Sequence, residues 1–229
     1  MRSEAPRVWL VAALVLGLSA TAAAQVTGKL ILGAYKPAPP PSGARPSYYW
    51  ELDNGIKELR DDRVDAPREL AVVLVGEGQP VAGLDRVEVA FAGGSLLPST
   101  IVVRTGTTLL FRNDDEFAHE LYADKLPGLA AEPTSPRGRR SVSLTTPGSY
   151  ALRDGLVAHV AGQLHVLPDL IAVAAPDAEG QFSFKQVPPG KYTLKVFHGT
   201  RELASQPIEL TSQELTLDPI TLTASPDAK

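Results

Sequence analysis

Short apolar runs recur from Lys29 to Leu222, and each is closed within a few positions by Gly, Pro, Asn or Asp. Turn residues arriving at that rate leave no room for helices of ordinary length, and they restrict the chain to short strands. The runs are Lys29–Leu32, Leu70–Val75, Val87–Phe91, Thr100–Val103, Thr108–Phe111, Ser141–Leu144, Tyr150–Arg153, Gln163–Leu167, Phe182–Phe184, Tyr192–Phe197 and Leu215–Leu222. Several alternate with period two. Val142 and Leu144 face one way while Ser141 and Ser143 face the other, and Tyr192, Leu194 and Val196 share a face. Such alternation places one face of each strand in a core and the other in water, so an all-β fold of packed sheets is expected. Leu52–Arg63 is the one later stretch that can carry a short helical turn. Lys36–Arg45 holds four prolines and is excluded from a central strand.

The first 24 residues read as a secretory signal: Arg2 and Arg7, an apolar run Val8–Leu18, then Ala22-Ala23-Ala24 before Gln25. Eleven helical residues rise about 16 Å, half of a bilayer core, so a membrane anchor is not expected. No later run is long enough to span, and no cysteine follows the apolar run to take a lipid. The expected location is periplasmic or secreted. Removing Arg2, Arg7 and Glu4 takes the net charge from −4 to −5. A mildly acidic chain lacks the Lys and Arg excess on which nucleic-acid binding rests.

The stretch Ser95-Leu-Leu-Pro98-Ser-Thr-Ile-Val-Val-Arg-Thr-Gly106-Thr-Thr-Leu-Leu-Phe111-Arg-Asn113-Asp114, followed by His119, is one recognisable pattern. Gly106 supplies a turn between two strands, and Asn113 and Asp114 can bond local backbone at a strand end. Thr146-Pro147-Gly148-Ser-Tyr150-Ala-Leu-Arg153 and Gln163-Leu-His-Val166 complete it. These residues resemble the cupredoxins, and within them the plastocyanin-like domains of methylamine-utilisation-type proteins. The resemblance implies a Greek-key β-sandwich with a copper site of His, Cys, His and Met. His119 matches the first ligand. The Cys position holds Asp154, the second His position Val157 and the Met position Val160. A type 1 copper centre needs a thiolate, and the chain has no cysteine. Loss of the copper site is therefore expected.

A second pattern is Ala178-Glu-Gly180-Gln-Phe182-Ser-Phe184-Lys-Gln-Val187-Pro-Pro-Gly190-Lys-Tyr192-Thr-Leu194-Lys-Val196. Gly180 suits a hairpin turn, and Pro188-Pro189-Gly190 reverses the chain before the Tyr192 strand. It is similar to carboxypeptidase-regulatory-like (prealbumin-like) β-sandwiches, whose early strands would correspond here to Gln25–Leu30 and Leu70–Val75. The expected organisation is a signal at 1–24, an N-terminal β segment at 25–84, a cupredoxin-like unit at 85–168, a prealbumin-like sandwich at 169–223 and a tail at 224–229. Segment 25–84 either joins the last sandwich, with the cupredoxin-like unit inserted, or precedes two units in series.

The chemistry-bearing residues are few. No Gly-x-Ser-x-Gly elbow, phosphate loop or dinucleotide fingerprint occurs. No catalytic residue, metal or cofactor is expected. The expectation is a non-enzymatic binding or structural protein of the bacterial envelope, with an envelope protein or ligand as partner. Two alternatives stand beside it. His119, Asp154 and His159 could together hold copper or zinc in a carrier protein, and Tyr48-Tyr49-Trp50 could stack on a carbohydrate. His165 reads as a structural histidine within a strand, and His198 as a turn contact. Asp114-Asp115-Glu116 and Arg137-Gly-Arg-Arg140 read as solvated loops.

Overall fold

A computed structural model describes residues 23–33, 35, 64–211 and 213–223. Residues 1–22 of the signal expected at 1–24, the helical turn expected at 52–63, Tyr48–Trp50 and the tail lie outside the described residues. The strands are β1 (Ala24–Ile31), β2 (Leu70–Gly76), β3 (Arg86–Ala92), β4 (Ser95–Leu97), β5 (Thr100–Arg104), β6 (Thr108–Asn113), β7 (Leu121–Tyr122), β8 (Arg139–Ser143), β9 (Gly148–Asp154), β10 (Ala161–Leu167), β11 (Leu170–Ala174), β12 (Gln181–Val187), β13 (Gly190–His198), β14 (Arg201–Leu210), β15 (Leu215–Thr216) and β16 (Ile220–Thr221). One short helix, α1 (Ala66–Glu69), precedes β2. The all-β expectation holds.

The strands form four sheets. Two are ordered β4-β3-β6-β8 and β5-β10-β9-β7, and they enclose a core containing Phe91, Phe111, Leu121, Leu152, Val160 and Leu164. The other two are ordered β11-β2-β13-β14 and β12-β1-β15, with β16 also on β1. Their core contains Val26, Leu30, Leu74, Phe184, Tyr192, Leu194 and Val196. β1 pairs with β12, and β2 pairs with β11 and β13. The strands before residue 84 thus complete sheets with strands after residue 169, while β3 to β10 pair only with one another.

β2 explains how the two pairs of sheets meet. Its sequence, Leu70-Ala-Val-Val-Leu-Val75, is apolar without alternation, and all six residues are buried. A strand covered on both faces reads as such a run. Val72 and Leu74 point into the core shared with β1 and β12. Ala71, Val73 and Val75 point the other way, into a seam with Val102 of β5, Leu84, Leu170 and Phe197. Each Val, Leu or Phe buried there contributes roughly 1.5–3 kcal/mol. The seam also carries polar ties. Gly199 N donates to Thr100 Oγ1 at 2.8 Å, Thr100 Oγ1 donates to the Glu69 carbonyl at 2.5 Å, and His165 Nε2 lies 2.7 Å from the Gly199 carbonyl.

Candidate functional site

The site lies where β3, β6 and β9 end together. Asn113 closes β6 and is fully buried. Its Nδ2 faces the carbonyls of Phe117, Thr134 and Ser135, and its Oδ1 accepts from Asp115 N at 3.0 Å. The short side chain of an asparagine thereby turns the 114–120 loop back on itself. Gly93 and Gly94, both at positive φ, form the two-residue hairpin between β3 and β4. Their N–H groups donate to the Asp115 carboxylate at 2.6 and 3.0 Å.

His119 sits at the centre with no exposed surface. Its Nδ1 is 2.7 Å from Asp154 Oδ2 and its Nε2 is 3.0 Å from Asp115 Oδ2. Asp154 Oδ1 accepts from the N–H groups of Glu120, Leu156 and Val157 at 2.9–3.2 Å. The imidazole stacks on Phe91 with ring centroids 4.3 Å apart. Two carboxylates facing both ring nitrogens require a proton on each nitrogen or one on a carboxylate. Either arrangement satisfies every polar atom of a buried unit, as a dry interior demands. The three side chains bind the hairpin at 93–94, the loop at 114–120 and the turn at 154–157 to one another.

Of the residues singled out in the sequence, His119 and Asp154 are in direct contact. His159 is placed against the hairpin, its Nε2 near the position a Cβ on Gly94 would take. It also lines a cavity of about 190 Å³ with Asp65, Arg68 and Glu69 of the α1 region. No group of three His, Cys, Asp or Glu side chains with metal-holding geometry occurs among the described residues. Val160 is buried in the core, and Val157 packs against it. These residues do not fit a type 1 copper centre: the chain has no thiolate, the two valines donate nothing, and both imidazole nitrogens face carboxylates.

Sequence reasoning missed Asp115. The acidic triplet read as a solvated loop divides three ways. Asp114 forms an ion pair with Arg112, exposed Glu116 pairs with Arg137, and Asp115 is buried on His119. The signal that finds Asp115 is its place two residues past Asn113 and four before His119, with the Gly93-Gly94 hairpin supplying donors. The Arg137–Arg140 loop also differs from expectation. Arg140 is 14% exposed and turns inward to the carbonyls of Leu121 and Ala130. His165 is buried at the seam, as a structural histidine is expected to be. His198 hydrogen-bonds Tyr35 Oη through Nδ1 at 2.5 Å and Glu69 through Nε2 at 3.2 Å. Burial pushes the Tyr35 phenol above its ordinary value, against the opposing effect of Arg201.

No family model matches the chain, and no curated protein matches it. Solved structures do. A mutant amicyanin in the reduced state is 16% identical, with 41% of this chain and 98% of that chain covered and a TM-score of 0.33. The copper-containing nitrite reductase NirK of Thermus scotoductus is 24% identical, over 35% of this chain and 22% of that one, with a TM-score of 0.31. A purple cupredoxin from Nitrosopumilus maritimus is 17% identical, over 35% of this chain and 98% of that one, also at 0.31.

Proposed function

We propose that this chain is an exported, non-enzymatic binding or structural protein of the bacterial envelope. In this reading, residues 85–168 form a cupredoxin-like unit that has lost type 1 copper. They are set within a prealbumin-like sandwich built from 25–84 and 169–223. The observation that carries the reading is His119 held at both ring nitrogens by buried Asp115 and Asp154. A tight metal centre draws on the order of 10 kcal/mol from several ligands acting together. Here the single histidine is committed to carboxylates, so the three loops are organised without an ion.

What those loops present is apolar. Phe117 is 45% exposed and Leu156 is 57% exposed, two of the three large exposed hydrophobics among the described residues. Loops at the end of a rigid sandwich are the usual place for recognition, and Asp114–Glu120 and Asp154–Ala161 form the proposed contact surface. The test is a photo-crosslinking residue placed at position 117 or 156 in the native host. A discrete partner captured there, and not from a control position on β12, supports the reading. Stoichiometric copper in protein purified from that host would reject it.

A further inference from the structure

A second polar cluster lies well away from His119. Ser149 stands near the start of β9, five residues from Asp154, or roughly 17 Å at ordinary strand rise. It faces away from the core that takes Tyr150 and Leu152, and it is exposed. Its cross-strand partner on β10 is His165, and Ser149 Oγ lies 3.1 Å from His165 Nδ1. The other ring nitrogen, Nε2, lies 2.7 Å from the Gly199 carbonyl, which can only accept. Nε2 therefore carries the ring proton, and the Nδ1 lone pair faces the serine hydroxyl. Gln163 Nε2 donates to the same hydroxyl oxygen at 2.7 Å.

The surroundings keep this imidazole in its basic form. It is 5% exposed and packs on Phe197 with ring centroids 4.6 Å apart. Burial lowers its protonation below the ordinary histidine value, the Gly199 hydrogen bond opposes this more weakly, and no charged group enters the balance. A nucleophile within reach of a base, with the base held by a third group, is the general arrangement for covalent catalysis.

We propose that Ser149 is a base-activated nucleophile that accepts an acyl group from activated acyl esters. The Oγ–carbonyl carbon bond forms, and the ester bond from that carbon to the leaving oxygen breaks. The hydroxyl proton passes to His165 Nδ1 and then to the leaving oxygen, with no change in oxidation state. The Gln163 amide donates to the hydroxyl oxygen and fixes its orientation, so that the hydroxyl proton points at His165 Nδ1 and a lone pair is left for attack. The product is an O-acyl serine on an exposed strand. This makes Ser149 a modification site, and it stands independently of the His119 loops.

The test treats the full chain with p-nitrophenyl acetate. After denaturation, trypsin releases Ser141–Arg153 as one peptide holding Ser141, Ser143 and Ser149, so two serines exposed in the native protein serve as internal controls. Acetylation at Ser149 is expected to exceed that at either control by about a hundredfold, within the range of general-base assistance. It should vanish in Ser149→Ala and fall to the control level in His165→Gln. The ratio of Ser149 to Ser141 labelling should also drop as pH falls through the His165 titration. Equal labelling of the three serines overturns the proposal. So does a Ser149 excess indifferent to both pH and His165→Gln, and the pH series in the unmutated chain decides the matter if that variant fails to fold.

Discussion

Replacing Asp154 with alanine removes the hydrogen-bond partner of His119 Nδ1 and the acceptor for the N–H groups of Glu120, Leu156 and Val157. The Asp154 and His119 side chains are both fully buried. With a proton on each ring nitrogen the contact is a buried ion pair, and taking one partner from such a pair typically costs about 3–5 kcal/mol, because the other is left uncompensated. Two of the three backbone donors, Leu156 and Val157, sit on a turn bearing exposed Leu156, so water reaches part of them and they add little to that figure. Asp154→Asn keeps an oxygen for the backbone donors and loses only the charged bond to the ring, worth about 1.5–3 kcal/mol. Against a whole-domain stability of about 5–15 kcal/mol, the alanine variant is severe. For a chain of this size each kcal/mol moves the thermal midpoint by about 2–4 °C, so Asp154→Ala should lower it by roughly 6–20 °C. Urea titration should show a lower midpoint with an unchanged slope. A double-mutant cycle with His119→Ala then isolates the coupling. A cost for Asp154→Ala below about 1 kcal/mol, or equal costs for Ala and Asn, would refute the claim that one network locks these loops.

His165 predicts a pH dependence. Its folded-state protonation is depressed by burial below the unfolded value of 6.5. The unfolded chain therefore binds the extra proton, and stability is full above 6.5 and falls as pH drops below it. The slope is at most about 1.4 kcal/mol per pH unit, and urea midpoints of the unmutated chain and His165→Gln should converge as pH falls. Gly180 has φ +80°, and a Cβ there would strike the Leu30 carbonyl oxygen. Gly180→Ala should cost more than about 1 kcal/mol in a denaturation experiment. Trypsin should cut the native protein at Arg137, which is 68% exposed, and spare Arg140. After that cut, segments 25–80 and 169–223 should remain associated on a sizing column.

Much of the strand content is legible in the sequence because its cause is local. Period-two alternation marks β8, β12 and β13, and the unbroken apolar run of β2 marks a strand covered on both faces. β14 is not legible, since Arg201–Leu210 is an edge strand with Pro207 in which polar and apolar residues mix without period and only Ile208 and Leu210 are buried. Its pairing with β13 comes from register, which no local pattern records. Leu215–Leu222 reads as one strand but breaks into β15 and β16 around Asp218-Pro219. The site divides in the same way. Asp154 and His119 are named by the resemblance to the cupredoxin pattern, whereas Asp115 requires knowing that the Gly93-Gly94 hairpin folds over the 114–120 loop. Three adjacent acids look like a wet loop until tertiary structure gives each its own partner.

The most direct test adds cupric or zinc ion to the purified chain and follows heat release, visible absorption and thermal midpoint. A buried Asp115–His119–Asp154 network standing in place of the ion predicts no intense visible band and no rise in midpoint at equimolar metal. A ligand present at a hundred times its dissociation constant would add about 2.7 kcal/mol of stability. A sub-micromolar one-to-one complex that raises the midpoint and disappears in His119→Ala would contradict it.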